Sequence, residues 1–247
     1  LKGVTNSLLT QKNGKYGLVD NVGTVIIDNQ YEAIEPVSNQ FENGYIIKNE
    51  EGKYGVINYT KTVAIETNYD DIKNVYGNGK YYIVKEGDNW EVIDVEGKKY
   101  LSGEYDDIVS VNGENAIVIK NDKYGVVGIT DEKNIIDIKY DNITYATGNN
   151  YIVNNNGKFG IMNSEGNTPI DFNYSNIVYR RAGNFYEAMN DDYTSDLIDS
   201  DLSVKLSKVI VSELNEEKGY IKVRVDDTDK YYNFRFEEKT AKDIFST

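Results

Sequence analysis

One stretch recurs along this chain, and the recurrence limits the fold more than any other feature. Full copies run 14–37, 52–75, 88–111, 122–146 and 157–180. An aromatic anchors each copy: Tyr16, Tyr54, Trp90, Tyr124 and Phe159, spaced 38, 36, 34 and 35 residues apart. A second aromatic follows at Tyr31, Tyr69, Tyr105, Tyr140 and Tyr174. Three residues further on comes an isoleucine: Ile34, Ile72, Ile108, Ile143 and Ile177. Self-similarity at such a period signals a repeat architecture, in which no unit buries its apolar face alone.

Each unit reads as short strands separated by turns. Ala116–Lys120 is apolar and β-branched, and Asn121-Asp122 stops it. Its counterparts are Tyr45–Lys48, Tyr81–Lys85, Tyr151–Val153 and Tyr220–Val225. The next strand starts at the anchor aromatic, as in Tyr54–Asn58 and Phe159–Asn163. Glycine follows the anchor at Gly17, Gly55, Gly125 and Gly160. Glycine weakens a strand interior, so its return at one place implies close approach of a neighbouring backbone or ring. Glu91 breaks that rule, and its unit is expected to bulge or pack differently. The third strand, Val63–Glu66 in the second copy, leads into the Tyr-x-x-Ile segment, a fourth short element. Pairs such as Ile46-Ile47 and Ile83-Val84 place apolar residues on both faces of one strand, which suits sheets stacked face to face.

The copies Gly-Lys-Tyr-Gly at 14–17 and 52–55, Gly-Lys-Phe-Gly at 157–160, and Tyr-Asp-x-Ile at 69–72, 105–108 and 140–143 resemble the WG-repeat (KWG) family of bacterial proteins. The resemblance covers about residues 14–180, with decayed copies beyond. Tyr or Phe stands where the family has Trp, and Trp90, the one tryptophan, precedes Glu91 rather than Gly. The resemblance implies a β-rich repeat fold and no common activity.

The expected fold is therefore all-β: one repeat domain of about seven units, near 1–37, 38–75, 76–111, 112–146, 147–180, 181–214 and 215–247. A propeller-like ring is preferred, and an open β-solenoid is the alternative. Four short strands in about 35–40 residues is the size of a propeller blade. Phe185–Met189, Leu197–Asp199 and Leu202–Leu206 open a decayed sixth unit; Gly219–Val225, Lys230–Phe236 and Thr240–Phe245 supply a seventh. Leu206–Leu214 fits a short helix as well as a strand.

Composition removes whole classes of chemistry. There is no His and no Cys, so His-dependent triads, thiolate nucleophiles and His or Cys metal sites are excluded. The formal charge of −14 repels nucleic-acid phosphates and anionic lipid. No apolar run is long enough to span a membrane. The chain opens on Leu1 rather than methionine, so it reads as a trimmed segment, and the lack of a leader excludes no compartment. The acidic series Asp191-Asp192, Asp196, Asp199 and Asp201 lacks the central Gly and terminal Glu of an EF-hand loop, and reads as turn residues.

The functional expectation is a non-catalytic binding scaffold at the bacterial cell surface or exported, with a protein or glycan partner and no cofactor, metal or catalytic residue. A glycan-binding module or a glycoside hydrolase using paired carboxylates is the alternative. Individual function is expected where the repeat frame fails, at 180–201. There Arg180 and Arg181, two of only four arginines, lie beside Tyr179 and Tyr193. An exposed guanidinium there could hold a carboxylate, from an acidic sugar or a peptide, by a bidentate pair. On a strand the two arginines point to opposite sides, so only one can reach a groove. The structural alternative pairs them with Asp191 or Asp192.

Overall fold

The computed structural model describes residues 7–36, 44–57, 62–73, 80–101 and 105–245. The chain divides into two compact units, Leu1–Ile138 and Lys139–Thr247.

The first unit holds four antiparallel sheets. Sheet A has β1 (Ser7–Lys12), β2 (Lys15–Asp20) and β3 (Val25–Tyr31). Sheet B has β4 (Ala33–Pro36), β5 (Tyr45–Lys48), β6 (Tyr54–Ile57) and β7 (Val63–Tyr69). Sheet C has β8 (Asp71–Lys73), β9 (Tyr81–Glu86), β10 (Asn89–Asp94) and β11 (Lys99–Tyr100). Sheet D has β12 (Asp107–Asn112), β13 (Asn115–Lys120), β14 (Lys123–Gly128) and β15 (Asn134–Tyr140), within which the division falls.

In the second unit, sheet E has β16 (Asn142–Thr147), β17 (Asn150–Asn155), β18 (Lys158–Asn163) and β19 (Ile170–Tyr174). Seven strands follow in one order: β20 (Asn176–Arg180), β21 (Phe185–Met189), β22 (Ser195–Asp199), β23 (Val204–Asn215), β24 (Tyr220–Val225), β25 (Thr228–Asn233) and β26 (Glu238–Lys239). The early part of β23 pairs with β22 and the later part with β24, so these are two four-stranded meanders sharing a strand, here F and G. Strands consecutive in sequence are neighbours in every sheet, the arrangement of a propeller blade.

Two local expectations are settled here. Leu206–Leu214 is strand, because its first part pairs with β22 and its later part with β24. Thr240–Phe245, expected as strand, is instead the short helix α1 (Ala241–Phe245). Thr240 starts it: its Oγ1 accepts from the Asp243 N–H at 3.2 Å, while its own N–H donates to Asp243 Oδ2 at 2.8 Å, a reciprocal cap.

The sheets run one strand out of step with the sequence repeat. The Tyr of each Tyr-x-x-Ile segment ends or follows the last strand of its own sheet, and the Ile lies in the first strand of the next. A single residue makes the crossing at Glu32, Asp70, Asp141 and Ser175. Its N–H bonds across to a strand of the next sheet, as in Glu32 to Lys48 O and Asp70 to Lys85 O, both 2.8 Å. The Asp of Tyr-Asp-x-Ile also accepts from the next sheet's hairpin: Asp70 Oδ2 from Gly87 N at 2.8 Å, Asp141 Oδ2 from Asn156 N at 2.6 Å. The lysine before the anchor completes the motif, with Lys15 on Glu32 and Lys53 on Asp70 at 2.6 Å.

Side-chain alternation fills both faces. Ile47 packs towards sheet A with Leu18 and Ile27, and its neighbour Ile46 packs towards sheet C with Ile72, Val84 and Ile93. Ile83 and Val92 turn the other way, against Ile108, Ala116 and Val118 of sheet D. Sheets E and F meet likewise through Ile152, Ile161, Ile177 and Tyr186. Each such aliphatic residue contributes about 1.5–3 kcal/mol by leaving water.

As recurring aromatics, Tyr54 and Tyr124 are expected to be largely buried, yet they and the other anchors are only half-buried, at the rims of these cores. The reason is pairing: Tyr16 sits opposite Tyr31, Tyr54 opposite Tyr69, and Phe159 opposite Tyr174. Aromatic pairs across strands stabilise a sheet without full burial. The glycine beside the anchor is required by contact. A Cβ on Gly17 or Gly55 would lie 2.5 Å from the carbonyl oxygen of Ile27 or Ile65, and one on Gly160 would lie 2.6 Å from that of Ile170. The pairing register shifts at this step in all three sheets.

Sheet C shows the same constraint from the other side. Glu91 replaces the glycine, and β11 is cut to two residues. The Glu91 side chain is nearly buried, with Lys99 Nζ 3.0 Å from its Oε2. That contact is an ion pair off hydrogen-bond alignment. Beyond Tyr100 the chain turns away at Leu101, whose φ is 45°.

A capped turn recurs as well. Asp20, Asn49, Asp94, Asn163, Asp199 and Asn233 each accept, through one side-chain oxygen, from the N–H groups two and four residues on, at 2.7–3.0 Å. The residue three places on has positive φ. It is Gly23, Gly52, Gly97 and Gly166 in the regular copies, but Leu202 and Phe236 in the late ones. Those two side chains pack on the cores beneath them, so burial offsets a strained backbone.

Candidate functional site

A cleft of about 390 Å³ opens in the seam between sheets E and F. Sheet E supplies a row in register across three strands: Asn142 opposite Asn154, and Asn154 opposite Phe159. Thr144 and Ile152 form the next row, and Tyr145 closes one side. β20 and the turn after it supply Asn176, Ile177, Val178, Tyr179 and Arg181. The base is apolar, the walls are amide and aromatic, and the only formal charge in the lining is the Arg181 guanidinium.

The walls are fixed. Tyr179 Oη donates to Asn184 Oδ1 at 2.6 Å, and its ring lies 5.1 Å from that of Tyr186. Tyr145 Oη donates to Gly148 O at 3.1 Å, and its ring meets Tyr151 edge-on at 5.8 Å. Asn154 Oδ1 accepts from Gly157 N at 2.9 Å, which leaves the amide NH₂ as its donor group. Behind Tyr179, the Tyr186 side chain is fully buried and its Oη has no hydrogen-bond partner among the described residues.

The four residues singled out from sequence separate. Tyr179 and Arg181 line the cleft. Arg180 does not: its Nε and Nη2 reach Glu187 Oε2 at 2.8 and 2.6 Å, a diagonal pair across β20 and β21. Thus one arginine of the two reaches the groove, and it does so from the turn: β20 ends at Arg180, so strand alternation does not decide where Arg181 points. Neither is held by Asp191 or Asp192, since Lys158 takes Asp191 at 2.6 Å and Asp192 caps Thr194. Among the described residues no carboxylate pairs with Arg181. Tyr193 stands apart, in the turn between β21 and β22. Its end of the sheet is that of Asn176, which pairs with Met189, whereas Arg180 pairs with Phe185. The two ends are about 13 Å apart along the strand. Tyr193 is 83% exposed and has φ 65°.

The aspartates of this region serve the fold. Asp196 accepts from Lys208 N, Ser207 Oγ and Tyr174 Oη at 2.8, 2.9 and 3.0 Å. Burial alone would raise its carboxyl, but these bonds outweigh that and hold it below the usual carboxylate range. The Tyr174 phenol is pushed up to about 12, by burial first and then by its hydrogen bond to Asp196. Asp199 holds the turn before β23 and pairs with Lys205 at 2.9 Å. Among the described residues no cluster of three or more acidic side chains converges on a metal-sized site.

Sequence reasoning found Tyr179 and Arg181 through the broken frame. It missed Asn142, Asn154 and Phe159, which sit inside the regular repeat and read as packing residues. Their signal, three polar or aromatic residues sharing one row, appears only once the strand register is known.

The profile of the WG containing repeat matches residues 16–54, 54–90 and 130–159. The chain carries WG repeats at these three segments, which together make up less than half of it. No curated protein matches its sequence. Solved structures with similar strand arrangements include Hsv2p of Kluyveromyces lactis, at 8% identity and a TM-score of 0.46, covering 95% of this chain and 94% of that one. Hsv2 of Kluyveromyces marxianus is 12% identical with a TM-score of 0.45, covering 85% and 76%. The β-propeller domain of Cps50 (Swd1) from Myceliophthora thermophila is 9% identical with a TM-score of 0.39, covering 95% and 88%. The all-β repeat assignment rests on the strand pairing above, not on these likenesses.

Proposed function

We propose that this chain is a non-catalytic binding scaffold, displayed at the bacterial cell surface or exported, that holds a ligand in the seam between sheets E and F. The observation that carries the reading is the E–F cleft. There, fixed aromatic and amide walls surround an Arg181 that no carboxylate among the described residues neutralises. The lining contains no Asp or Glu, so the cleft lacks the carboxylate pair that glycoside hydrolysis needs. That favours binding over turnover. A chain without cysteine also has no thiol to lose in an oxidising exterior.

The test is amide-resolved NMR of the whole chain against panels of glycans and peptides, run beside chromogenic glycosides. Saturable shifts at Asn154, Tyr179 and Arg181 without hydrolysis are expected. Hydrolysis above background, or shifts confined to other sheets, would refute the reading. Protease shaving of intact cells, followed by detection of the chain, tests the location; full protection with internal retention would exclude surface display.

A further inference from the structure

Resting on the binding-scaffold reading, we propose that the E–F cleft takes the acidic end of a saccharide, a uronate-type sugar. Its carboxylate lies on Arg181, its ring against Phe159 and Tyr179, and its hydroxyls meet Asn142, Asn154 and Asn176.

Four observations converge. The chain has 41 Asp and Glu side chains, yet none lines this cleft, and its one charged group is cationic. The net charge of −14 does not override this, because exposed charges beyond about 8 Å are largely screened at physiological salt, and the local donors decide. Secondly, the donor set suits a sugar acid. A guanidinium recognises a carboxylate by two parallel hydrogen bonds, and side-chain amides can both donate to and accept from hydroxyls. Thirdly, the platform is already built: the Tyr179 ring is held by Asn184 and Tyr186, so little ordering cost falls on binding. Fourthly, about 390 Å³ lies at the small end of ligand pockets, room for one or two sugar rings. A saccharide fits better than a peptide because the recognition groups are side chains on a sheet face. An extended peptide would instead be read by the main-chain groups of a strand edge.

The probes are a galacturonate dimer and its neutral counterpart, a galactose dimer, titrated into the full chain by calorimetry and amide NMR. The acidic dimer should bind at least about tenfold more tightly, the scale of a hydrogen-bonded charge. Arg181→Gln, an exposed turn substitution whose fold is checked by amide NMR, should erase that preference. Asn176→Ala should weaken both sugars alike. Equal affinities for the two dimers, or an unaltered preference in Arg181→Gln, would overturn the proposal. Arg181-dependent binding of a peptide with a free terminal carboxylate, with no sugar bound, would overturn the saccharide assignment while leaving the scaffold reading in place. No shift at any cleft residue with any probe would remove both.

Discussion

Replacing Gly55 by alanine tests the repeat at a point of close backbone approach. The new Cβ would lie 2.5 Å from Ile65 O and 2.9 Å from Thr67 N, both backbone atoms of β7. No rotamer change can relieve such a contact, so the strand itself must move. Overpacking of this kind costs about 1–3 kcal/mol, and a backbone obstacle puts it at the upper end. Alanine recovers about 0.5–1 kcal/mol of glycine's conformational penalty in a strand. The net loss should be about 2 kcal/mol, or about 4–8 °C in Tm for a chain of this size. Gly52→Ala is the control in the same sheet. Only Lys48 Cε lies within 4 Å of its Cβ, at 3.9 Å, so it meets the positive-φ penalty of about 1–2 kcal/mol and no collision. Thermal denaturation followed by circular dichroism should rank Gly55→Ala as the more damaging, with loss of the register shift visible by amide NMR. If Gly55→Ala melts within about 1 °C of the parent, close approach is not why glycine follows the anchor.

Two further outcomes follow from the late repeats. Tyr193→Gly removes a strained positive φ from a side chain that buries almost nothing, and should stabilise by about 0.5–1 kcal/mol in thermal melts; Leu202→Gly, which also empties a place on the E–F core, should destabilise instead. A loss on Tyr193→Gly would mean that its ring has a structural contact. Asp196 has a folded pKa below its ordinary value of about 3.9, so its contribution is complete above that pH and disappears as pH falls through the depressed pKa. Asp196→Asn should therefore flatten the acid limb of Tm against pH, and an unchanged limb would show that the carboxylate bonds add nothing.

Much of the fold was legible because periodic residues report periodic structure. The alternation at Ile46-Ile47 and Ile83-Val84 correctly implied sheets packed on both faces. The glycine after the anchor signalled close approach, and Glu91 marked the sheet whose last strand is cut short. The half-buried anchors were hidden, since a sequence shows an aromatic but not the Tyr opposite it. The Asx turns were legible in part: Gly23, Gly97 and Gly166 each mark a hairpin turn, but the Asp or Asn cap three residues earlier shows only in the folded turn. α1 was missed because Thr240-x-x-Asp243 is a local cap inside a stretch that otherwise continues the strand pattern. At the site, Arg181 was visible as a departure from the frame. Asn142, Asn154 and Phe159 were not, because a shared row depends on register that composition does not encode.

The single-residue crossings at Glu32, Asp70, Asp141 and Ser175 bear on how such a chain can lengthen or shorten over evolutionary time. Each period gives away its last strand and receives its neighbour's, so giving and receiving are properties of the period rather than of any one segment. A duplication of one period, wherever its ends are cut, therefore inserts a donor and an acceptor together, and the sheets downstream keep their strand complement. A deletion of one period removes the same matched pair. Copy number can then drift without a repaired junction, and turns can vary by a few residues, whereas loss of a single strand would leave an unpaired edge.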